Sequence, residues 1–325
     1  MRRALERVYL FAAVQLSDVE GVERDRLVMR VTARCNERCP FCQAELCICD
    51  EDPSLERLCR AADRMAAALP DCQVILTGGE PTLREDLGQL CAHIVSNPRV
   101  AALEVQTNAV LIGRHPARYA WPDSTKLRFL VALHGFEPDV YDACTGTKGL
   151  LADALGGLRH LLGCGYEVEI NFVATALNAD RLTGAVERVA ALFPGRPRPR
   201  LHFSVLGIPE HRQVTDLHVA YEDLVQAFDA ALDRADELDV PCVVALSASH
   251  ARIPPCFLSA FPRLSRLPVP LHEHGAWEGG TGDWWTKPAA CGTCRDRDRC
   301  MGIPRSYASK FGRVDVYPLA DDSES

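Results

Sequence analysis

The feature that most constrains the fold is a long alternation of strand-like and helix-like segments between residues 26 and 207. RLVMRVT (26–32) is an apolar run suited to a buried strand, and PSLERLCRAADRMAAAL (53–69) has helical spacing opened by a Pro-Ser start signal. QVILTGG (73–79) reads as a second strand, REDLGQLCAHIVSN (84–97) as a helix and ALEVQTN (102–108) as a third strand. The order repeats in LRFLVALHG, GLLADALGGLRHLLGCG, EVEINFVAT, RLTGAVERVAALF and RLHFSVLG. Alternation of this length implies parallel strands joined by right-handed crossovers, in an open doubly wound sheet or a partial or complete barrel. Six strands are counted, fewer than the eight of a full barrel. In either architecture function gathers at the C-terminal strand ends. There the chain places the loop of Cys35, Gly78-Gly79-Glu80, Thr107-Asn108, His134-Gly135, Thr175 with Asn178, and Gly207.

Composition limits the classes of function. A chain of 325 residues that is 47% hydrophobic can bury one barrel-sized core and a smaller appendage. The expected division is an N-terminal segment over 1–25, an α/β domain over 26–240 and an irregular, cysteine-rich extension over 241–325. A net charge of −8 argues against a nucleic-acid partner, which needs a surplus of Lys and Arg on one face. No stretch approaches the roughly 20 apolar residues of a membrane span, and the N-terminus makes a poor signal peptide. The expectation is a cytoplasmic protein with no membrane partner.

Fifteen cysteines in such a chain point to metal ligation, catalysis or buried thiols rather than disulfides. Cys59, Cys72, Cys91, Cys164 and Cys242 sit in apolar, regular segments and read as core thiols. Two groups are clustered and flanked by loop formers: Cys35, Cys39 and Cys42, with Cys47 and Cys49 beyond, and Cys291, Cys294 and Cys300, with Cys256 upstream. The first is C-x3-C-x2-C directly after a strand, where three thiolates can wrap one face of an iron–sulfur cubane and leave one iron open. One helix later, LTGGEPTLR offers two glycines that allow close backbone approach and a carboxylate at the strand tip, suited to a ligand ammonium.

Cys35-x3-Cys39-x2-Cys42 with Phe41 before the last cysteine, followed by Gly78-Gly79-Glu80-Pro81, resembles the radical S-adenosylmethionine (SAM) superfamily over roughly residues 26–207. The resemblance implies a partial (β/α)6 TIM-like barrel. It implies a [4Fe–4S] cluster on the three cysteines and SAM on the fourth iron. It implies that Gly78, Gly79 and Glu80 hold the methionyl ammonium and that the backbone near Phe41 meets the adenine. Thr107 and Asn108 fall where the family contacts the methionyl carboxylate or ribose, although Ala109 stands where a glycine is frequent. Ala132 stands where a ribose-binding serine is frequent, which leaves His134 and Asn171 as candidates for that contact. The implied chemistry is reductive cleavage of SAM to a 5′-deoxyadenosyl radical that abstracts hydrogen from a substrate, with an electron donor such as a flavodoxin or ferredoxin. No catalytic acid or base is assigned. Cys47 and Cys49 read as loop thiols.

The second group, C-x2-C-x5-C in PAACGTCRDRDRCMGIPRSYASKFG, is similar in spacing to the SPASM and twitch extensions that hold auxiliary clusters. The resemblance implies a second [4Fe–4S] cluster on Cys256, Cys291, Cys294 and Cys300; a four-thiolate zinc site uses the same residues. Between Cys256 and Cys291 the chain reads as a solvent-facing connector or as a substrate loop built on Trp277, Trp284, Trp285, His272 and His274. The terminal LADDSES reads as a disordered acidic tail. Three functions remain: a radical enzyme modifying a peptide or natural-product intermediate, one acting on a small molecule in cofactor or metabolite biosynthesis, and a non-enzymatic iron–sulfur or zinc protein.

Overall fold

The apolar runs become neighbouring parallel strands because their side chains share one register. In the computed structural model β1 (Leu10–Ser17), β2 (Glu23–Thr32), β3 (Cys72–Gly78), β4 (Val100–Thr107), β5 (Leu127–Ala132) and β6 (Glu167–Ala174) follow one another in chain order, and β2 to β6 each run parallel to the next. Met29, Leu76, Val105, Phe129 and Val168 form one cross-strand row, each at most 3% exposed. Leu27, Val74, Leu103 and Leu127 form a second row two residues away on the same face. Each such side chain contributes about 1.5–3 kcal/mol on burial, so these rows fix the register against a one-residue slip. The structure describes residues 10–17, 23–42, 52–195, 197–207, 215–248, 251–266, 285–312 and 314–320. Cys47, Cys49, His272, His274, Trp277 and Trp284 lie outside them.

The helices expected between these strands form as α1 (Leu55–Ala68), α2 (Leu87–Ser96) and α5 (Leu151–Gly163), and the alternation continues through α6 (Leu182–Leu192) and β7 (Arg200–Val205). Ser54 caps α1 by accepting from Arg57 N at 3.3 Å. Two short helices complete the series: α3 (Val110–Arg114) after β4 and α4 (Pro138–Thr145) after β5. Alternating helices and parallel strands give the α/β fold expected. The N-terminal stretch supplies β1, which pairs antiparallel with β2 and occupies the sheet edge there, so no closed barrel forms.

The chain divides into two compact units, Met1–Phe172 with Val189–Leu201, and Val173–Arg188 with His202–Ser325. In the second, α7 (Tyr221–Glu237) buries Tyr221, Leu224, Val225, Phe228, Ala231, Leu232 and Ala235, a helical stripe. Tyr221 stacks on Tyr307 with ring centroids 4.0 Å apart. Trp285 is buried in a two-residue ladder, Trp285–Thr286 against Ile303–Pro304, so at this residue the stretch is neither a solvent-facing connector nor a free substrate loop.

Cys72 and Cys91 are buried as expected, and Cys59 and Cys242 are partly so. Cys164 is a correction: it is exposed, because it caps the C-terminus of α5 with its sulfur 3.7 Å from His160 Nε2. Among the described residues no helix is long and apolar enough to cross a membrane.

Candidate functional site

The three-cysteine loop begins where β2 ends, and the tip of β3 is fastened to its entry. Gly79 N–H donates to the Thr32 carbonyl at 2.8 Å and Glu80 N–H to the Arg34 carbonyl at 2.7 Å. Gly78 has φ +138°, and a Cβ there would overlap the Thr32 backbone; a Cβ on Gly79 would overlap the Arg34 carbonyl. The two glycines are therefore required for one backbone to lie on another. The loop is held on its other side by α4: Arg38 N–H donates to the Thr145 carbonyl at 2.7 Å, and the Arg38 guanidinium bonds the Cys35 and Glu37 carbonyls, both at 2.8 Å.

Cys35, Cys39 and Cys42 are half-buried and free of disulfides. Burial, then the nearby Glu80, Glu37 and Cys42 charges, lifts the Cys35 thiol to about 11 against the opposing Glu37 N–H, which reaches its sulfur at 3.4 Å. Cys39 is pushed up further by burial and by Glu37, Cys42 and Cys35. Thiols close enough to raise one another, in a loop of fixed backbone, are a donor set that gains from a shared cationic centre. Glu37 joins them: its Oε1 accepts from Tyr141 Oη at 2.7 Å, Cys39 Sγ lies 3.7 Å from its Oε2, and burial lifts its carboxyl to about 7.

Glu80 is 2% exposed and links three strand ends. Its Oε1 accepts from Thr82 N at 2.9 Å, Thr82 Oγ1 at 2.5 Å and Thr107 Oγ1 at 2.6 Å; its Oε2 accepts from Asn108 N at 2.7 Å. Burial raises the carboxyl above its ordinary value in spite of these four donors. Asn108 continues the network, donating from Nδ2 to Asn36 Oδ1 at 2.7 Å and accepting from Val110 N at 3.2 Å. Thr107 and Asn108 thus tie the tip of β4 both to Glu80 and to the cysteine loop.

Phe41 is nearly buried and meets His134 edge-on, with ring centroids 5.1 Å apart. Burial holds His134 down at about 4, a neutral imidazole at the end of β5. Asn171 on β6 pairs in register with Ala132, and its carbonyl accepts from Leu133 N at 3.1 Å. Sequence reasoning missed Asn36, Glu37, Arg38, Tyr141 and Thr145. Asn36 to Arg38 could have been found as the polar filling of the cysteine spacing; Tyr141 and Thr145 carry no local signal.

The residues present fit an iron–sulfur cluster on Cys35, Cys39 and Cys42. Besides the three thiols, Asn36 Nδ2 is a buried amide nitrogen with no hydrogen-bond partner among the described residues, a donor placed beside the first cysteine and lacking an acceptor.

The second cysteine group is brought together in the other unit. Cys256, Cys291, Cys294 and Cys300 line one open cavity. Val316, Pro318 and Leu319 form part of its wall, so Leu319 and Ala320 belong to a packed segment and not to a disordered tail. Arg295 fastens that segment, its N–H to the Leu319 carbonyl at 3.0 Å and its guanidinium to the Ala320 carbonyl at 3.4 Å. Burial lifts the Cys256 thiol to about 11, against a backbone hydrogen bond from Tyr317, with Cys300, Cys291 and Cys294 adding to the rise.

Comparison with known proteins agrees with this site. The family model of the Radical SAM superfamily matches residues 29–181. The chain is 33% identical over 173 residues to the GTP 3′,8-cyclase of Pseudomonas entomophila, covering 51% of this chain and 48% of that protein. It is 34% identical over 183 residues to the probable GTP 3′,8-cyclase of Thermococcus kodakarensis, covering 54% and 56%. It thus spans about half the length of the curated relatives it matches. Among solved structures, Streptococcus suis SuiB bound to S-adenosylmethionine superposes with a TM-score of 0.60 at 14% identity, over 91% of this chain and 76% of that one, which shows a shared fold. Cysteine loop, glycine-clamped strand tip, fold and sequence similarity agree, and residues 29–181 form a radical SAM domain.

Proposed function

We propose that this chain is an iron–sulfur enzyme that cleaves SAM reductively and uses the resulting radical to take hydrogen from a peptide or natural-product intermediate. The observation that carries the reading is the three-thiol loop clamped by Gly79 and Glu80 onto the tip of β3. Cys35, Cys39 and Cys42 would hold a [4Fe–4S] cluster and leave one iron for SAM. When bound, the cluster supplies the electron, received from a flavodoxin- or ferredoxin-type donor, that breaks the C5′–S bond to give methionine and the 5′-deoxyadenosyl radical.

The chain's own residues bind and orient. Gly78 and Gly79 let the strand tip lie directly on the entry of the cysteine loop, which sets the backbone proposed to meet the ligand ammonium beside the three thiols. Glu80 fixes that tip to β4 through Thr107 and Asn108. Phe41 and the neutral His134 form an apolar wall for the adenine side. Cys256, Cys291, Cys294 and Cys300 are the ligand set for a second [4Fe–4S] cluster, supported by the single cavity they line. Four thiolates occupy all four irons, so this cluster would carry electrons or hold the fold and leave substrate recognition to side chains.

A second reading, action on a small metabolite, is favoured by the sequence similarity of the catalytic unit to GTP 3′,8-cyclases. Anaerobic reconstitution followed by dithionite and SAM tests the common core. The expected product is 5′-deoxyadenosine, abolished by Cys35→Ala; a fully iron-loaded wild-type enzyme that makes none would sink both readings. Adding GTP separates them, since 5′-deoxyadenosine formation raised well above the substrate-free rate would support the second.

A further inference from the structure

Asn36 lies between the first cysteine and the network around Glu80. Its Oδ1 accepts from Asn108 Nδ2 at 2.7 Å, and Cys35 Sγ lies 4.0 Å from the same oxygen. Its Nδ2 is buried and has no partner among the described residues. Two further side-chain nitrogens among the described residues share that condition, and both lie away from the cysteine loop. Arg128 Nε is 3.4 Å from the Glu104 carboxylate, which compensates its charge, and Trp121 packs its ring against Tyr119 and Phe129. Asn36 is the instance inside the cysteine loop.

The orientation of its amide follows from Asn108. Asn108 commits its backbone N–H to Glu80 Oε2 and its Oδ1 to the Val110 N–H, which leaves Nδ2 to face Asn36. The atom of Asn36 that meets this donor has to be the oxygen. Its own NH2 group is thereby turned away from Asn108 and left as a buried donor, which costs the fold while it is unpaired. The acceptor chemistry available in this loop is sulfur. A thiol accepts weakly, whereas a metal-bound thiolate or bridging sulfide is anionic and accepts well.

We propose that Asn36 is a positioning residue whose Nδ2–H hydrogen-bonds a sulfur of the cluster held by Cys35, Cys39 and Cys42. This role rests on the cluster reading given above. A hydrogen bond to cluster sulfur favours the more negatively charged, reduced state and so raises the reduction potential. Because Asn108 sets the amide and is itself fastened to Glu80, the strand tip proposed to meet SAM also sets the ease of reducing the cluster.

The test compares reconstituted wild-type and Asn36→Ala enzyme without SAM, with iron and sulfide counted and the cluster poised over a range of potentials and read by electron paramagnetic resonance. At equal iron content the variant is expected to show a ratio of reduced to oxidised cluster about tenfold lower at a fixed poise, equivalent to about 59 mV for one electron. A purely structural role would lower iron loading and leave the potential of the loaded fraction unchanged. Should Asn36→Ala load poorly, wild-type enzyme labelled with 15N-asparagine gives an independent readout, a 15N hyperfine coupling to the reduced cluster. Equal potentials at equal loading overturn the proposal, as does the absence of any asparagine nitrogen coupling. A shift that appears only after SAM is added also overturns it, since the acceptor would then be the cofactor. A wild-type chain that binds no iron overturns the cluster reading itself, and this role with it.

Discussion

Buried titratable groups of opposite sense set the acid response of the apo fold. His134 and His218 are held at about 4, below the ordinary 6.5, chiefly by burial, with Lys310 adding to the effect at His218. In the unfolded chain both take up a proton near 6.5, so as pH falls from about 6.5 to about 4 the unfolded state binds more protons. Each histidine then withdraws up to about 3 kcal/mol of stability. Glu37 acts in the other direction. Its carboxyl is raised from 4.5 to about 7, so its contribution is full below about 4.5 and is lost as pH rises through about 7. The raised Glu80 has the same sign as Glu37. The wild-type profile is therefore flattened by cancellation, and a single-site difference is the sharper measurement. The His218 imidazole shares a hydrogen bond with Ser306 Oγ, at 2.9 Å from Nε2, and sits against Tyr307. In urea unfolding of the apo chain, the stability advantage of wild type over His218→Asn is expected to shrink by about 2 kcal/mol between pH 7 and pH 4.5. Parallel pH profiles for the two proteins would exclude this role of His218.

At the scale of elements, the cysteine loop is clasped between the tip of β3 and α4, and only the first of these clasps was legible in the sequence. Gly78-Gly79-Glu80 is contiguous, follows an apolar strand and leads into proline, so spacing and residue type are enough to find it. Helix α4 is eight residues long, too short for a periodic apolar pattern to register. Its key contact, Tyr141 to Glu37, joins residues 104 apart. Cys35, Cys39 and Cys42 could be read because iron–sulfur ligation imposes local spacing, whereas Asn36, Glu37 and Tyr141 are chosen by burial, which acts through space. The strands were readable for the same reason that they form, since each carries its own apolar alternation; β1 was not, because its role is to pair with β2 at an edge. The α4 clasp makes its own prediction. Tyr141→Phe removes one hydrogen bond from a fully buried side chain and leaves Glu37 short of a donor, which is expected to cost about 1–2 kcal/mol of apo stability. Iron loading should slow in parallel, since the loop carrying Cys39 is then less fixed. A variant with wild-type stability and loading kinetics would show that the β3 clasp alone organises the loop.

For the whole molecule, each compact unit carries one cysteine set, and the two sets differ in how they are built. The first depends on backbone clasps made by strands of a repeating α/β fold. The second depends on segments far apart in sequence: Cys256 and Cys291 from two short 3-10 turns, Cys294 and Cys300 from the stretch after the second, and a wall contributed by Val316, Pro318 and Leu319. That wall is fastened by two hydrogen bonds from Arg295, by the Tyr317 backbone hydrogen bond to Cys256 and by the Tyr317 ring against Phe257, with centroids 5.8 Å apart. The segment supplies much of the apolar cover of the cavity through Val316, Pro318 and Leu319. Apolar cover controls water access and local dielectric around a metal centre. Removing residues 314–325 should therefore leave the fold intact and remove iron selectively. With both proposed clusters loaded the iron content would be about eight, and it should fall to about four, with 5′-deoxyadenosine formation from the first site retained. The double substitution Cys291→Ala, Cys294→Ala should give the same iron count by deleting ligands instead of cover. If the truncated chain keeps its full iron while the double substitution loses half, the ligands alone hold the second cluster and the C-terminal segment has no part in retaining it. If neither change alters the iron content, Cys256, Cys291, Cys294 and Cys300 do not bind a cluster.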